Sequence, residues 1–342
     1  MPERVPGTVD LAIVLPAYKG EFLARTLDAI ASQSDRRFRV YVGDDGSPDH
    51  LSDIVSASAF SAEQLVYHRF DSNVGRTSLV RHWDRCIRLS HEPWVWLFSD
   101  DDIMEPDCVA AFYRTREQTH DAFDLYRFNT MMIDATDNVR KLSPPHPREE
   151  SWRELAYFLL RNLRVCTQQE GIFRRRRYDE VGGFLDLPLA WGTDHAFTMA
   201  CAGAGGLMTI DGPRVRFRQS GRNISSSARA EMRSGKVAAS MMYVRWLMRY
   251  IVENPNGRER VPDHLIRSAA LEWFERHLAT QGVSIKPRET ARLMRFMREV
   301  WDEPVSVGLL RLLRLHLEQA VAGLSGLARR AGVKGSQHWV WG

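Results

Sequence analysis

Apolar positions in the first hundred residues form short runs that alternate with segments of helical period. Leu11–Leu15 is an apolar run closed by Pro16, which predicts a buried strand. Within Glu21–Gln33, Phe22, Leu23, Leu27 and Ile30 recur at helical spacing. Arg39–Gly43 reads as a second strand, stopped by the turn residues Asp45–Pro48, and His50–Phe60 as a helix. Leu65–Arg69 is a third strand. Thr77–Leu89 carries Leu79, Val80, Trp83 and Ile87 on one helical face, and Trp94–Phe98 is a fourth strand. This order predicts an α/β fold with a mostly parallel, Rossmann-like sheet flanked by helices. Ligands in such sheets gather at the carboxyl ends of the strands.

The pattern then loosens. Leu125–Thr130 reads as a strand and Ser143–Pro147 as a Pro-rich loop. From about Lys236 the period turns helical. Helices are expected at Lys236–Glu253, Pro262–Gln281, Pro287–Trp301 and Val305–Arg330, with Pro262, Pro287 and Pro304 at or near their starts. The division expected is therefore an α/β domain at 8–228 and an α-helical C-terminal domain at 229–342.

Length and composition fit that division. The chain has 342 residues, of which 44% are hydrophobic and 26% charged, values that exclude a disordered protein. No charge-free apolar run reaches the roughly 18 residues that a membrane span needs, and Met1–Gly7 lacks the apolar core of a secretory signal. Cys86, Cys108, Cys166 and Cys201 are too far apart for a zinc knuckle or a CxxC motif. Few thiols and no signal point to a reducing, cytoplasmic location. Residues 226–342 carry 19 Lys and Arg against 11 Asp and Glu, while the rest of the chain is mildly acidic. A basic back half suits an anionic partner or a solvated helical surface. Nucleic acid ranks last, because no zinc module is present and the arginines lie on apolar helices.

Two acidic clusters follow predicted strands. Val42–Asp49 reads V-G-D-D-G-S-P-D. A carboxylate there can accept from a nucleobase edge or a ribose. It can equally serve the turn, or cap a helix at Ser47 or Asp49. Trp94–Asp107 runs a buried strand into Ser99 and three consecutive aspartates. Adjacent carboxylates repel one another, and a divalent cation relieves that cost. Mg²⁺ or Mn²⁺ commonly uses one or two carboxylates plus substrate phosphates. Thr193 or Asp194, before the apolar stretch His195–Ala202, suits a helix N-cap. The basic run Arg174–Arg177 reads as a solvated helix face, and Met241, Met242, Trp246 and Met248 as helix packing.

Together these segments resemble a family. A strand ending in Pro16, Ala17 and Tyr18, then V-G-D-D-G-S, then Asn73-x-Gly75, then an apolar strand into S-D-D-D-x-x-x-P is similar to the family 2 glycosyltransferases of the GT-A fold. The likeness spans roughly residues 9–110. It continues weakly to about 225 through Val181–Phe184 and Trp191–His195, and says nothing about the helical region. The resemblance implies that Pro16, Ala17 and Tyr18 line a nucleotide pocket. Asp44 or Asp45 would contact the base, with Asp45 preferred. Asn73 and Gly75 would shape the loop over the nucleotide, with Arg76 or Arg81 near the phosphates. Asp100–Asp102 would form the DXD element, Asp100 near the ribose or donor sugar with Asp101 beside it, and Asp102 holding the metal. Family members usually have D-x-D-D here, and Ser99 stands at the first position, so the working pair is open. Asp194 would be the catalytic base, although Thr193 replaces the usual glutamate before it. One of Arg216, Arg218 and Arg222 would meet the diphosphate, and Trp191 would stack on an acceptor sugar or pack in the core.

The implied activity is inverting, divalent-cation-dependent transfer of a sugar from a nucleotide donor, a UDP-sugar favoured, to a glycan or lipid-linked acceptor in surface polysaccharide synthesis. The competing reading is a catalytically silent glycan-binding or scaffold subunit of a polysaccharide synthase. A sugar-nucleotide pyrophosphorylase is disfavoured, because Leu15–Gly20 lacks the Gly-rich loop of that class. The apolar and basic pattern Leu309–Leu315 suits peripheral contact with the inner face of the plasma membrane, or packing, including a homodimer. Trp339 and Trp341 would anchor such a contact or belong to a disordered tail.

Overall fold

The computed structural model describes residues 9–221, 230–255, 260–281, 287–302, 304 and 306–317. The chain divides into two compact units, Met1–Ser220 and Gly221–Gly342.

The first unit is built on one ten-stranded sheet. Its strands are β1 (Leu11–Ala17), β2 (Phe38–Asp44), β3 (Leu65–Arg69), β4 (Trp94–Leu97), β5 (Ile103–Met104), β6 (Leu125–Ile133), β7 (Val139–Leu142), β8 (Glu149–Glu150), β9 (Gly171–Arg174) and β10 (Leu207–Arg218). The main path runs β3-β2-β1-β4-β9-β6-β10-β5, with β7 on β6 and β8 on β10. Strands β1 to β4 pair in parallel, as do β6 and β10. Strand β9 is antiparallel to both β4 and β6 and joins the two parallel sets. The carboxyl ends of β1, β2, β4, β6 and β10 therefore share one edge. Pro16 lies beyond the last β1 residue paired with β4, so its missing N–H removes no bond there.

Among the described residues seven α-helices belong to this unit: α1 (Leu23–Ala31), α2 (Leu51–Ser56), α3 (Leu79–Ile87), α4 (Cys108–Gln118), α5 (Trp152–Leu160), α6 (Arg175–Glu180) and α7 (Thr193–Ala202). Helix α1 buries Leu23, Thr26, Leu27 and Ile30, nearly the face that the period predicted. Trp94, Trp96, Phe98, Phe112, Tyr126 and Phe128 fill the centre of the core. Trp96 stacks on Phe128 with ring centroids 5.0 Å apart. Burying rings of this size contributes roughly 2–3 kcal/mol each.

Arg174–Arg177 departs from the expected solvated face. Arg174 ends β9, lies over the Trp94 ring at 4.4 Å and pairs with Asp124 at 2.6 Å. Arg175 donates to the Glu92 carbonyl and the Ser90 hydroxyl, and Arg177 to the Ala200 and Cys201 carbonyls. Arg176 alone of the four keeps a largely exposed side chain. A charge run reads as solvent-facing only when no buried carbonyls lie within its reach, and here they do.

The second unit is helical, with α8 (Ala230–Glu253), α9 (Asp263–Gln281), α10 (Pro287–Trp301) and α11 (306–317). Tyr243, Leu247, Ile251, Ile266, Phe274, Leu278, Phe296 and Met297 are buried in it. On α11, Leu312 and Leu315 face inward, and Arg311 and Arg314 bind Glu275 at 2.7 and 3.2 Å. Leu309, Leu310, Leu313 and Leu317 remain exposed on its other face. The expected extension of this helix to Arg330, and Trp339 and Trp341, lie outside the described residues. No helix among the described residues is long and apolar enough to cross a membrane.

Candidate active site

The loops after β1, β2 and β4 meet at the shared edge, held together by carboxylates. Asp44 ends β2 fully buried. Its Oδ1 accepts from the Ser47 amide at 2.7 Å, and its Oδ2 from the Tyr67 hydroxyl at 2.6 Å and Arg69 Nη1 at 2.7 Å. Those three donors engage both oxygens of Asp44 and fix the Gly46–Ser47 turn. Asp45 is also buried, and grips the next loop. Its Oδ1 accepts from the Val74 amide at 2.9 Å and its Oδ2 from the Gly75 amide at 2.8 Å. Arg85 pairs with Asp45 from α3 while its guanidinium lies over the Phe70 ring at 3.8 Å. Asn73 Oδ1 accepts from the Arg76 amide at 2.8 Å and closes that turn.

Gly75 leaves room for this grip. A Cβ built there would stand 2.5 Å from Asp45 Oδ2, closer than real Cβ contacts come. Gly75→Ala is therefore expected to push the Asn73–Gly75 loop off Asp45. The urea midpoint should fall while the far-ultraviolet circular dichroism spectrum stays unchanged. Urea unfolding of the variant beside the wild type checks this.

His82 lies beside the same pair. Its Nδ1 accepts from Arg85 Nε at 3.1 Å and sits 3.5 Å from Asp45. Burial holds its pKa down to about 4, against the pull of Asp45. The unfolded chain, with a histidine pKa of about 6.5, takes up this proton first. The stability contributed by neutral His82 is full above about pH 6.5 and is lost as pH falls toward 4. Urea midpoints should fall more steeply over that window in the wild type than in His82→Asn.

Asp100 ties β4 to β1: its Oδ2 accepts from the Tyr18 amide at 2.9 Å and the Lys19 amide at 3.1 Å. Tyr18 projects from the end of β1, 41% exposed, with its carbonyl accepting from Ser47 Oγ. Pro16 and Ala17, the last residues of β1, lie just below it. Asp101 is half-buried, and its carbonyl accepts from Arg218 Nε at 2.6 Å. Burial and the charge of Asp100 push its carboxyl up to about 7. Asp102 turns inward and is 0% exposed. Its Oδ1 accepts from the Arg218 amide at 2.7 Å, and its carbonyl from Thr26 Oγ1 at 2.9 Å. Burial and then Asp101 raise its proton affinity well above the ordinary carboxylate range.

The expectation places Asp102 on the cation. In the structure Asp102 is fully buried, with Oδ1 on the Arg218 amide and Oδ2 without a hydrogen-bond partner, while Asp100 and Asp101 are partly exposed. Among the described residues no group of three His, Cys, Asp or Glu side chains forms a metal cage. The donor set still suits Mg²⁺ or Mn²⁺, which take one or two carboxylates and draw further oxygens from substrate phosphates. Crowded carboxylates with raised proton affinity are the groups that a cation would relieve.

Asp194 stands in the first turn of α7, whose N-cap is Gly192 at φ 84°. The cap is thus neither Thr193 nor Asp194, because only the backbone of glycine adopts that conformation freely. Thr193 is buried and donates to the Leu185 carbonyl. Asp194 Oδ1 accepts from the His195 amide at 2.9 Å, and burial raises its pKa. Its small pocket also includes Thr167, Gln168 and Thr198, with Phe173, Phe184 and Phe197 as an aromatic wall. Gln168 donates to the Leu97 carbonyl at 2.6 Å, which joins this pocket to the end of β4.

Other expected residues lie at the margins. Arg81 is exposed and pairs with Asp186 at 3.4 Å; Ser78 donates to the same carboxylate. Trp191 is half-buried, two residues before α7. Arg216 pairs with Glu105 at 3.1 Å, Arg218 is fully buried, and Arg222 lies outside the described residues.

Known proteins share this fold. A model of glycosyl transferase family 2 matches residues 12–182, half of the chain and every strand of the site edge except β10. The chain belongs to glycosyl transferase family 2. It is a glycosyltransferase by that membership. Residues 1–349 of S. aureus TarS, solved in complex with UDP-GlcNAc, superpose with a TM-score of 0.66 at 14% identity, covering 93% of this chain and 92% of that one. The same TarS fragment solved without that ligand gives 0.62 at 12% identity, over the same shares. In complex with UDP it gives 0.52 at 14% identity, again over those shares. This likeness extends the GT-A fold match through the helical C-terminal region. No curated protein matches the chain in sequence.

Proposed function

We propose that this glycosyltransferase transfers a sugar from a nucleoside diphosphate donor, a UDP-sugar favoured, to a glycan or lipid-linked acceptor hydroxyl, with inversion. Surface polysaccharide synthesis is the process that such acceptors serve. One observation carries the reading: Gln168, which lines the Asp194 pocket, donates to the Leu97 carbonyl at the end of β4, the strand that leads into Asp100 and Asp101. The TarS complexes with UDP-GlcNAc and UDP support the choice of donor.

Within this reading, Asp45 and the Asn73–Gly75 loop shape the nucleoside pocket with Pro16, Ala17 and Tyr18. Asp44 supports them from below. Asp100 and Asp101 would hold Mg²⁺ or Mn²⁺, which neutralises charge gathering on the leaving diphosphate. An acceptor hydroxyl is a weak nucleophile, so Asp194 takes its proton as the new bond forms. The first turn of α7 steadies the carboxylate through its dipole and the His195 amide. Displacement with a single base inverts the anomeric centre. Trp191 offers a ring for the acceptor sugar. The exposed leucine face of α11 suits peripheral membrane contact from the cytoplasmic side, which a lipid-linked acceptor would require.

Titrating UDP, GDP, CDP and dTDP with and without Mn²⁺ tests the donor site. One nucleotide should bind tightly and only with the cation. Binding of none would return the weight to a silent glycan-binding or scaffold subunit.

A further inference from the structure

Arg218 ends β10 fully buried beneath the acidic loop. Its amide donates to Asp102 Oδ1 at 2.7 Å, and its Nε to the Asp101 carbonyl at 2.6 Å. Nη1 donates to the Asp134 carbonyl at 2.8 Å and pairs with Asp137 at 2.5 Å. Asp134 and Asp137 belong to the turn between β6 and β7, where Asp137 also binds Arg25 of α1 at 3.0 Å. The guanidinium lies over the Phe22 ring at 4.4 Å. One planar group thus joins the acidic loop to a turn more than thirty residues further along the chain.

We infer that Arg218 is a positioning residue: its guanidinium fork sets the backbone of Asp101 and so aims the Asp100–Asp101 carboxylates for a cation and diphosphate. The inference rests on the donor-site reading above. Its physical basis is direct. Asp101 lies between Asp100 and Asp102, each held by its own hydrogen bonds, and Arg218 Nε holds the Asp101 carbonyl itself. A fork with several fixed donors satisfies two carbonyls while its charge pairs with one carboxylate. A lysine keeps the charge but, as a single point of donation, cannot span all three. Groups that orient metal-binding carboxylates typically change metal affinity by about 10–100-fold when removed.

The test compares two halves of one site. Arg218→Lys should weaken binding of UDP with Mn²⁺ about tenfold, measured by calorimetry. Binding of uridine, which lacks phosphates and meets only the Asp45 half, should change less than about twofold by saturation-transfer NMR. A purely structural role would lower both together. Asp137→Asn releases the far end of the fork and should weaken UDP–Mn²⁺ in the same direction by about threefold, which decides the matter if Arg218→Lys does not fold. Unchanged UDP–Mn²⁺ affinity in the folded variants, or equal loss of uridine, overturns the inference. Absence of cation-dependent UDP binding in the wild type instead removes the donor-site reading, and this inference with it.

Discussion

Asp194→Asn is expected to lower the rate of sugar transfer by about 10²–10⁴-fold, the range that a positioned base typically contributes, while UDP–Mn²⁺ affinity stays within about twofold. The variant keeps the shape of the first turn of α7 and an oxygen to accept from the His195 amide, so the loss isolates the proton acceptor. A pH profile sharpens the prediction. Burial raises the pKa of Asp194, and the base must be ionised to act. The wild-type rate should therefore rise with pH through a limb lying above the ordinary aspartate value of about 4. That limb should vanish in Asp194→Asn. A rate within a few-fold of wild type would remove Asp194 from the chemistry.

Asp101→Asn and Asp102→Asn should separate by property. Asp101 lies at the surface of the edge with its carboxyl pushed up to about 7 by burial and Asp100. Its replacement should abolish the cation dependence of UDP binding and cost about tenfold or more in affinity, roughly 1.4 kcal/mol. Asp102 is sealed inside against the Arg218 amide. Its replacement should leave cation-dependent binding within a few-fold and act on stability instead. Because the buried, crowded Asp102 carboxyl has a raised proton affinity, removing its charge should raise the urea midpoint at neutral pH or leave it unchanged. The reverse pattern, with Asp102 carrying the cation dependence, would restore the assignment that the family resemblance implies.

The contrast between these two aspartates shows where sequence reading stops. Strands β1, β2 and β4 were legible because each is a short, largely apolar run buried in a parallel sheet, and β3 because it opens on the apolar Leu65–Tyr67. Helices α1, α3 and α8 to α10 were legible from their period. Strand β9 was not: four residues leading into arginines carry no readable alternation. Strand β10 was hidden by Asp211-Gly212-Pro213, which reads as a turn but forms an irregularity between Ile210 and Arg214. Within the acidic cluster, spacing located three carboxylates. Which of them faces outward depends on Arg218, 116 residues from Asp102. Likewise the roles of Asp44 and Asp45 follow from Arg69, Tyr67 and Arg85. Those residues lie on β3 and α3, where each reads by itself as an ordinary surface or strand position.

The most direct test of the account is to incubate the wild-type enzyme with Mn²⁺ and a panel of UDP-sugars and follow each donor by proton NMR. The account predicts that one donor loses UDP to water, which stands in for the acceptor hydroxyl, and that the freed sugar first appears with the opposite anomeric configuration, read before it mutarotates. It further predicts that Asp101→Asn and Asp194→Asn both suppress the release. Release with retained configuration would contradict the single-base mechanism, and no release from any nucleotide sugar would contradict the donor site itself.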